Sequence, residues 1–208
     1  DYEQAVIDSF AAWETAELGF DITFDAFLGP EINVFAVADT HPFFQGNFFS
    51  GVADVWASFR SDRVLTNGLV EPGFAIHSAD IYIAPQRVHN ALEFWKLAGI
   101  LTEADRLVRF QNLMMHEIGH AIGLGHPNEF PEGNFDSDLD PRTPVAVNPL
   151  APWEGLMLSP NFDPEAIMQG GLKITPEALR AITLFPDDRA GRDVLYPSVP
   201  EPGLLGLL

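Results

Sequence analysis

A chain of 208 residues, 47% hydrophobic and only 20% charged, is long enough for one domain with a substantial core and too apolar to be disordered. Its 30 acidic residues against 11 basic ones give a formal charge of −19, which repels phosphate backbones and anionic bilayers and argues against nucleic acid as a partner. There is no cysteine, so disulfides and thiolate metal sites are excluded, and any zinc must be held by His, Asp or Glu.

In chain order, Val6, Phe10, Trp13 and Glu17 recur at helical spacing and predict an amphipathic helix from Tyr2 to about Glu17. Phe20 to Phe27 alternates apolar and polar residues, the pattern of a half-buried strand. Ile32 to Asp39 and Gly51 to Phe59 are further strand candidates, separated by a loop bearing Pro, Gly and Asn. Ala75 to Pro85 sets Ala79, Ile81 and Ile83 on one face and Asp80 and Tyr82 on the other, then stops at a proline, as expected of a strand near a sheet edge. Thr102 and Asp105 have the spacing of a capping box, and Leu107, Phe110, Met114, Ile118 and Ala121 follow at helical spacing, so a long helix is expected to end near Gly123 and Gly125. Residues 127–167 are rich in Pro, Asn, Asp and Gly and read as a long loop or insertion. Helical signal returns at Thr175 and again from Pro186 to Tyr196, each segment opening with a proline in its first turn. No internal repeat, amino-terminal signal or apolar run of membrane-spanning length is read.

The last turns of the long helix carry HEIGHAIGLGH, from His116 to His126. His116 and His120 are four apart, which puts two imidazoles on one helix face where they can share an ion. A catalytic zinc takes three protein ligands and keeps one position open, so a third ligand must come from another direction. Gly123 permits the chain to turn, and His126 follows it. Glu117, beside the first ligand, is placed to reach a zinc-activated water rather than the metal and to act as general base in peptide hydrolysis. A lone helical histidine is ordinarily structural, but here three ligands, a base and a turning glycine coincide.

HEIGHAIGLGH resembles the HExxHxxGxxH signature of the metzincin zinc metallopeptidases, and Ala166-Ile167-Met168 resembles their Met-turn, in which a methionine, here Met168, lies under the metal. Within that group the chain is most similar to the microbial matrixins, through AVIDSFAAWE, ADIYI and DDRAGRDVLYP. The resemblance implies an α+β fold: a twisted, mostly parallel five-stranded sheet, the zinc helix behind it, and a smaller lower subdomain. It implies a catalytic domain over residues 1–197 and a zinc-dependent endopeptidase acting on protein or peptide, with substrate lying along the strand Ala75 to Ala84. One catalytic zinc is expected, because the region of Asp39, His41 and Asp54 lacks the full ligand pattern of a second, structural zinc. His41, His77 and His89 are read as surface or core histidines.

Two weaker signals remain. Asp136, Asp138 and Asp140 alternate in the insertion and read first as a solvated acidic loop, second as a calcium site, since calcium favours clustered oxygen ligands. Residues 198–208, with VPEPGLLGLL, resemble the start of a PEP-CTERM sorting tail, which implies export to the surface or exterior of a bacterium. A monomer is expected. The alternative function is a non-catalytic surface or adhesion module with a structural zinc, which would have no use for Glu117.

Overall fold

The computed structural model describes residues 1–15, 18–20, 32–45, 50–59, 63–64, 70–71, 74–124, 126, 166–168 and 175–196. Helix α1 (Tyr2–Trp13) starts at an Asp1 cap whose side chain accepts from the Glu3 N–H, and it buries Ala5, Ser9, Phe10 and Trp13. Strands β1 (Ile32–Ala36), β2 (Gly51–Phe59), β3 (Arg63–Val64), β4 (Val70–Glu71) and β5 (Phe74–Ile83) follow. Helices α2 (Pro85–Leu97), α3 (Arg106–Ala121), α4 (Pro176–Arg180) and α5 (Pro186–Leu195) complete the order.

Among the described residues one sheet has the order β1–β5–β2, with β1 parallel and β2 antiparallel to β5, and β3 and β4 form a separate two-stranded ladder. The strand expected from Phe20 to Phe27 lies, apart from Phe20, outside the described residues. Ala79, Ile81 and Ile83 turn inward, as their alternation predicts, and pack with Met114, Met115 and Ile118 of α3 in one core cluster. Asp80 and Tyr82 face the other side, where Asp80 accepts hydrogen bonds from Asn33 Nδ2 at 2.8 Å and from the Tyr82 hydroxyl at 3.1 Å.

One expectation is overturned. The segment Ala75 to Pro85 is not an edge strand: β5 is the middle strand, hydrogen-bonded on both sides. Pro85 marked no edge. It occupies the first turn of α2, where its missing N–H would have had no helical partner in any case. Among the described residues the parallel β1 and the antiparallel β2 are the two outer strands of this sheet. Helix α2 itself was not read from sequence, because it buries only Leu92 and Trp95 while Phe94 and Leu97 stay exposed, so no continuous apolar stripe marks it.

Helix α3 is the axis of the fold. The capping box forms as expected, Asp105 accepting from the Thr102 N–H at 2.6 Å, but it opens a short 3-10 turn, Glu103–Asp105, and α3 begins one residue later. The indole N–H of Trp13 donates to the Met115 carbonyl at 2.9 Å, locking α1 to α3. Asn112 donates to the carbonyls of Ala178 and Ala181, and Arg180 pairs with Asp105 at 2.8 Å, so α4 is tied both to α3 and to the turn that opens it. Arg180 and hydrogen bonds from Thr102 hold the Asp105 carboxyl well below the usual carboxylate range. No helix among the described residues is long and apolar enough to cross a membrane.

Candidate metal centre

The end of α3 builds the site by main-chain geometry. Gly123 has φ 104°, the left-handed conformation that glycine adopts without steric cost. With it, the Leu124 N–H reaches the Gly119 carbonyl and the Gly123 N–H reaches the His120 carbonyl, both at 2.9 Å, the paired bonds of a Schellman motif. Leu124 is buried in the core, and its carbonyl is brought back to His120 Nδ1 at 2.8 Å. The Tyr196 hydroxyl, just beyond α5, donates to the Ile122 carbonyl at 2.8 Å and holds the same turn from outside. The chain then delivers His126 to the two helix histidines. Gly125, expected to share in this turn, lies outside the described residues.

The three Nε2 atoms converge: His116 to His120 at 3.1 Å, His120 to His126 at 3.0 Å and His126 to His116 at 2.9 Å. This is the one cluster of three metal-ligating side chains among the described residues. The tautomers follow from their partners. His116 Nδ1 lies 2.7 Å from the Ile167 carbonyl and His120 Nδ1 lies 2.8 Å from the Leu124 carbonyl. A carbonyl can only accept, so both Nδ1 atoms carry the proton and, in the neutral rings, both Nε2 atoms present bare lone pairs to each other. Facing lone pairs at this distance repel unless a cation lies between them. Burial first, and the neighbouring His126 second, push the His120 pKa down to about 3, so it is neutral and ready to coordinate.

Zinc fits this donor set. Bonds of 2.0–2.1 Å at a tetrahedral ion put donor atoms about 3.3–3.4 Å apart, a few tenths of an ångström wider than the spacing here. Each ring with an assigned tautomer also has the main-chain carbonyl acceptor that orients metal-ligating imidazoles.

Glu117, next to His116 in sequence, lies against β2. It is 4% exposed, and a Cβ added at Gly51 would stand 2.6 Å from its Oε1, so only glycine at that point of the strand leaves room for the carboxylate. Burial pushes its pKa up to about 8, opposed by a hydrogen bond from the Ala53 N–H and by the charge of Arg109. Gly119 meets a similar constraint on the core side, where a Cβ would overlap Met168 Sδ and come within 2.9 Å of Trp13. Met168 is thus seated under the helix turn that carries His116 and His120, and Ile167 beside it supplies the carbonyl for His116.

Gly119→Ala is expected to lower the melting temperature by several degrees. Overpacking against a fully buried Trp13 costs about 1–3 kcal/mol, more than the roughly 1 kcal/mol that alanine gains over glycine in a helix. A calorimetric melt checks this, and an unchanged or raised midpoint would mean that Met168 yields freely.

His116, His120 and His126 are therefore brought together, Met168 lies against Gly119 between the first two, and Glu117 is buried against Gly51 and Ala53 of β2. Asp136, Asp138 and Asp140, the insertion and the tail fall outside the described residues apart from 166–167. His89 is exposed on α2, and His41 stacks on Tyr82 with ring centroids 4.9 Å apart, neither joining the metal cluster. Gly51, Tyr196 and Asp188 were not singled out by sequence reasoning. Asp188 could be noticed only as an acidic residue in a helix's first turn.

No family model matches the chain, and neither does any curated protein or solved structure.

Proposed function

We propose that the protein is a zinc-dependent endopeptidase of metzincin type, with His116, His120 and His126 holding one zinc and Glu117 as general base. The observation that carries this reading is the convergence of three Nε2 atoms within 2.9–3.1 Å of one another, two of them with the proton committed to Nδ1 by a main-chain carbonyl. When bound, the ion supplies an open Lewis-acid position. Glu117 takes a proton from the water whose oxygen attacks the scissile carbonyl carbon. It returns that proton to the amine nitrogen as the C–N bond breaks. Its burial against Gly51 and Ala53 suits it to this work, because a carboxylate screened from solvent is a stronger base. A peptide substrate would lie along β2, an outer strand of the sheet among the described residues, adding a strand by main-chain hydrogen bonds. Export from a bacterium and a five-stranded metzincin sheet are part of the same proposal and rest on the sequence resemblance.

Dialysed protein is expected to hold one zinc per chain and to cleave casein, with a chelator abolishing cleavage and zinc restoring it. Metal analysis giving no zinc, or cleavage indifferent to chelation, would sink the reading. Cleavage sites in a proteome-derived peptide library then give the side-chain preference.

A further inference from the structure

Asp188, in the first turn of α5, is 3% exposed and far in sequence from the three histidines, yet its carboxylate accepts from three main-chain N–H groups. Oδ2 accepts from Ile167 and Phe185, and Oδ1 accepts from Met168, each at 2.9 Å. The Phe185 bond closes the start of its own helix, an ordinary capping role. The other two leave the helix and grip the segment under the metal cluster.

The Met168 N–H and the Ile167 C=O belong to one peptide group. In a planar trans peptide these two point in opposite directions. One side of the plane therefore donates to Asp188 Oδ1, and the other accepts from His116 Nδ1 at 2.7 Å. The result is a continuous chain of carboxylate, peptide group and imidazole ending at His116 Nε2. A carboxylate on the N–H polarises the peptide and strengthens its carbonyl as an acceptor, since hydrogen bonds in series reinforce one another. It also fixes the plane against rotation, and with it the direction of the carbonyl that sets the tautomer and tilt of His116.

We propose that Asp188 is a positioning residue for His116, acting through the Ile167–Met168 peptide group. This inference rests on the reading of the histidine cluster as a zinc centre. An imidazole is commonly oriented by a carboxylate directly; here a peptide group is interposed. The arrangement lets a residue on α5 govern a ligand on α3.

The test is Asp188→Asn in the full chain. Asparagine has one oxygen, so it can serve Met168 or the Ile167 and Phe185 pair but not all three, and it carries no charge. Zinc affinity, read by competition with a chromophoric chelator, is expected to fall about 10- to 100-fold, and the visible spectrum of the cobalt-substituted protein to shift. Asp105→Asn is the control: that carboxylate also bridges elements, through Thr102 and Arg180, but touches nothing in the metal cluster. It is expected to lower the melting temperature while leaving zinc affinity and the cobalt spectrum alone. If Asp188→Asn loses thermal stability like the control but keeps wild-type zinc affinity and spectrum, Asp188 is merely structural and the proposal fails. A wild-type protein that takes up no zinc would instead overturn the endopeptidase reading, and this inference with it. Should the Asn variant not fold, hydrogen exchange on the wild type decides. Zinc loading should slow the Met168 amide and the His116 ring proton together, and slowing of the ring proton alone would refute the linkage.

Discussion

Glu117→Ala is expected to leave one zinc per chain and the fold intact while peptide hydrolysis falls by about 10²-fold or more, the low end of what a positioned general base contributes. Zinc survives because the three imidazoles that converge do not include this side chain. Two effects on stability oppose each other. Removing a buried carboxylate relieves the desolvation that pushes its pKa up to about 8, whereas the Ala53 N–H loses its acceptor, a loss of about 1–3 kcal/mol if nothing replaces it. These are of similar size, so the melting temperature should move by only a few degrees. Metal analysis, a thermal melt and single-turnover hydrolysis together check the expectation. A variant that keeps most of its activity would show that the base lies elsewhere. One that loses its zinc would make the carboxylate a ligand.

The pairing of His116 with His120 was legible because helical periodicity is a local rule: residues four apart share a face whatever the rest of the chain does. The turn was legible for a similar reason, since Gly123 signals a left-handed residue and the Schellman bonds run between neighbours in sequence. The outer parts of the site were not legible. Asp188 meets Ile167 across 21 residues and His116 meets Ile167 across 51, and no spacing rule links such distant positions. Gly51 looked like the first residue of a strand, and its close approach to Glu117 exists only once β2 lies across α3. Pro85 misled for an instructive reason. The same missing N–H that suits a proline to a sheet edge also suits it to a helix start, and only the pairing of β5 on both sides tells the two apart.

His120→Ala should lose zinc and activity together. His120 is the ligand that the fold fixes most locally, its Nδ1 held by the Leu124 carbonyl four residues on and its Nε2 at 3.1 and 3.0 Å from those of His116 and His126. Without it two imidazoles remain, and two ligands hold the ion far more weakly than three. The apo fold should survive, because the bonds that build the turn, Leu124 N–H to the Gly119 carbonyl and Gly123 N–H to the His120 carbonyl, are main-chain bonds that alanine keeps. The Leu124 carbonyl does lose its side-chain donor, and the removed ring leaves space, so a moderate fall in melting temperature is expected. Helical circular dichroism should therefore match the wild-type apo protein while zinc content drops to background and hydrolysis disappears. Added zinc should raise the wild-type melting temperature through binding to the native state and leave that of the variant unchanged. A His120→Ala protein that still carries one zinc per chain through dialysis would place the ion away from this cluster, and the assignment of His116, His120 and His126 as ligands would fall.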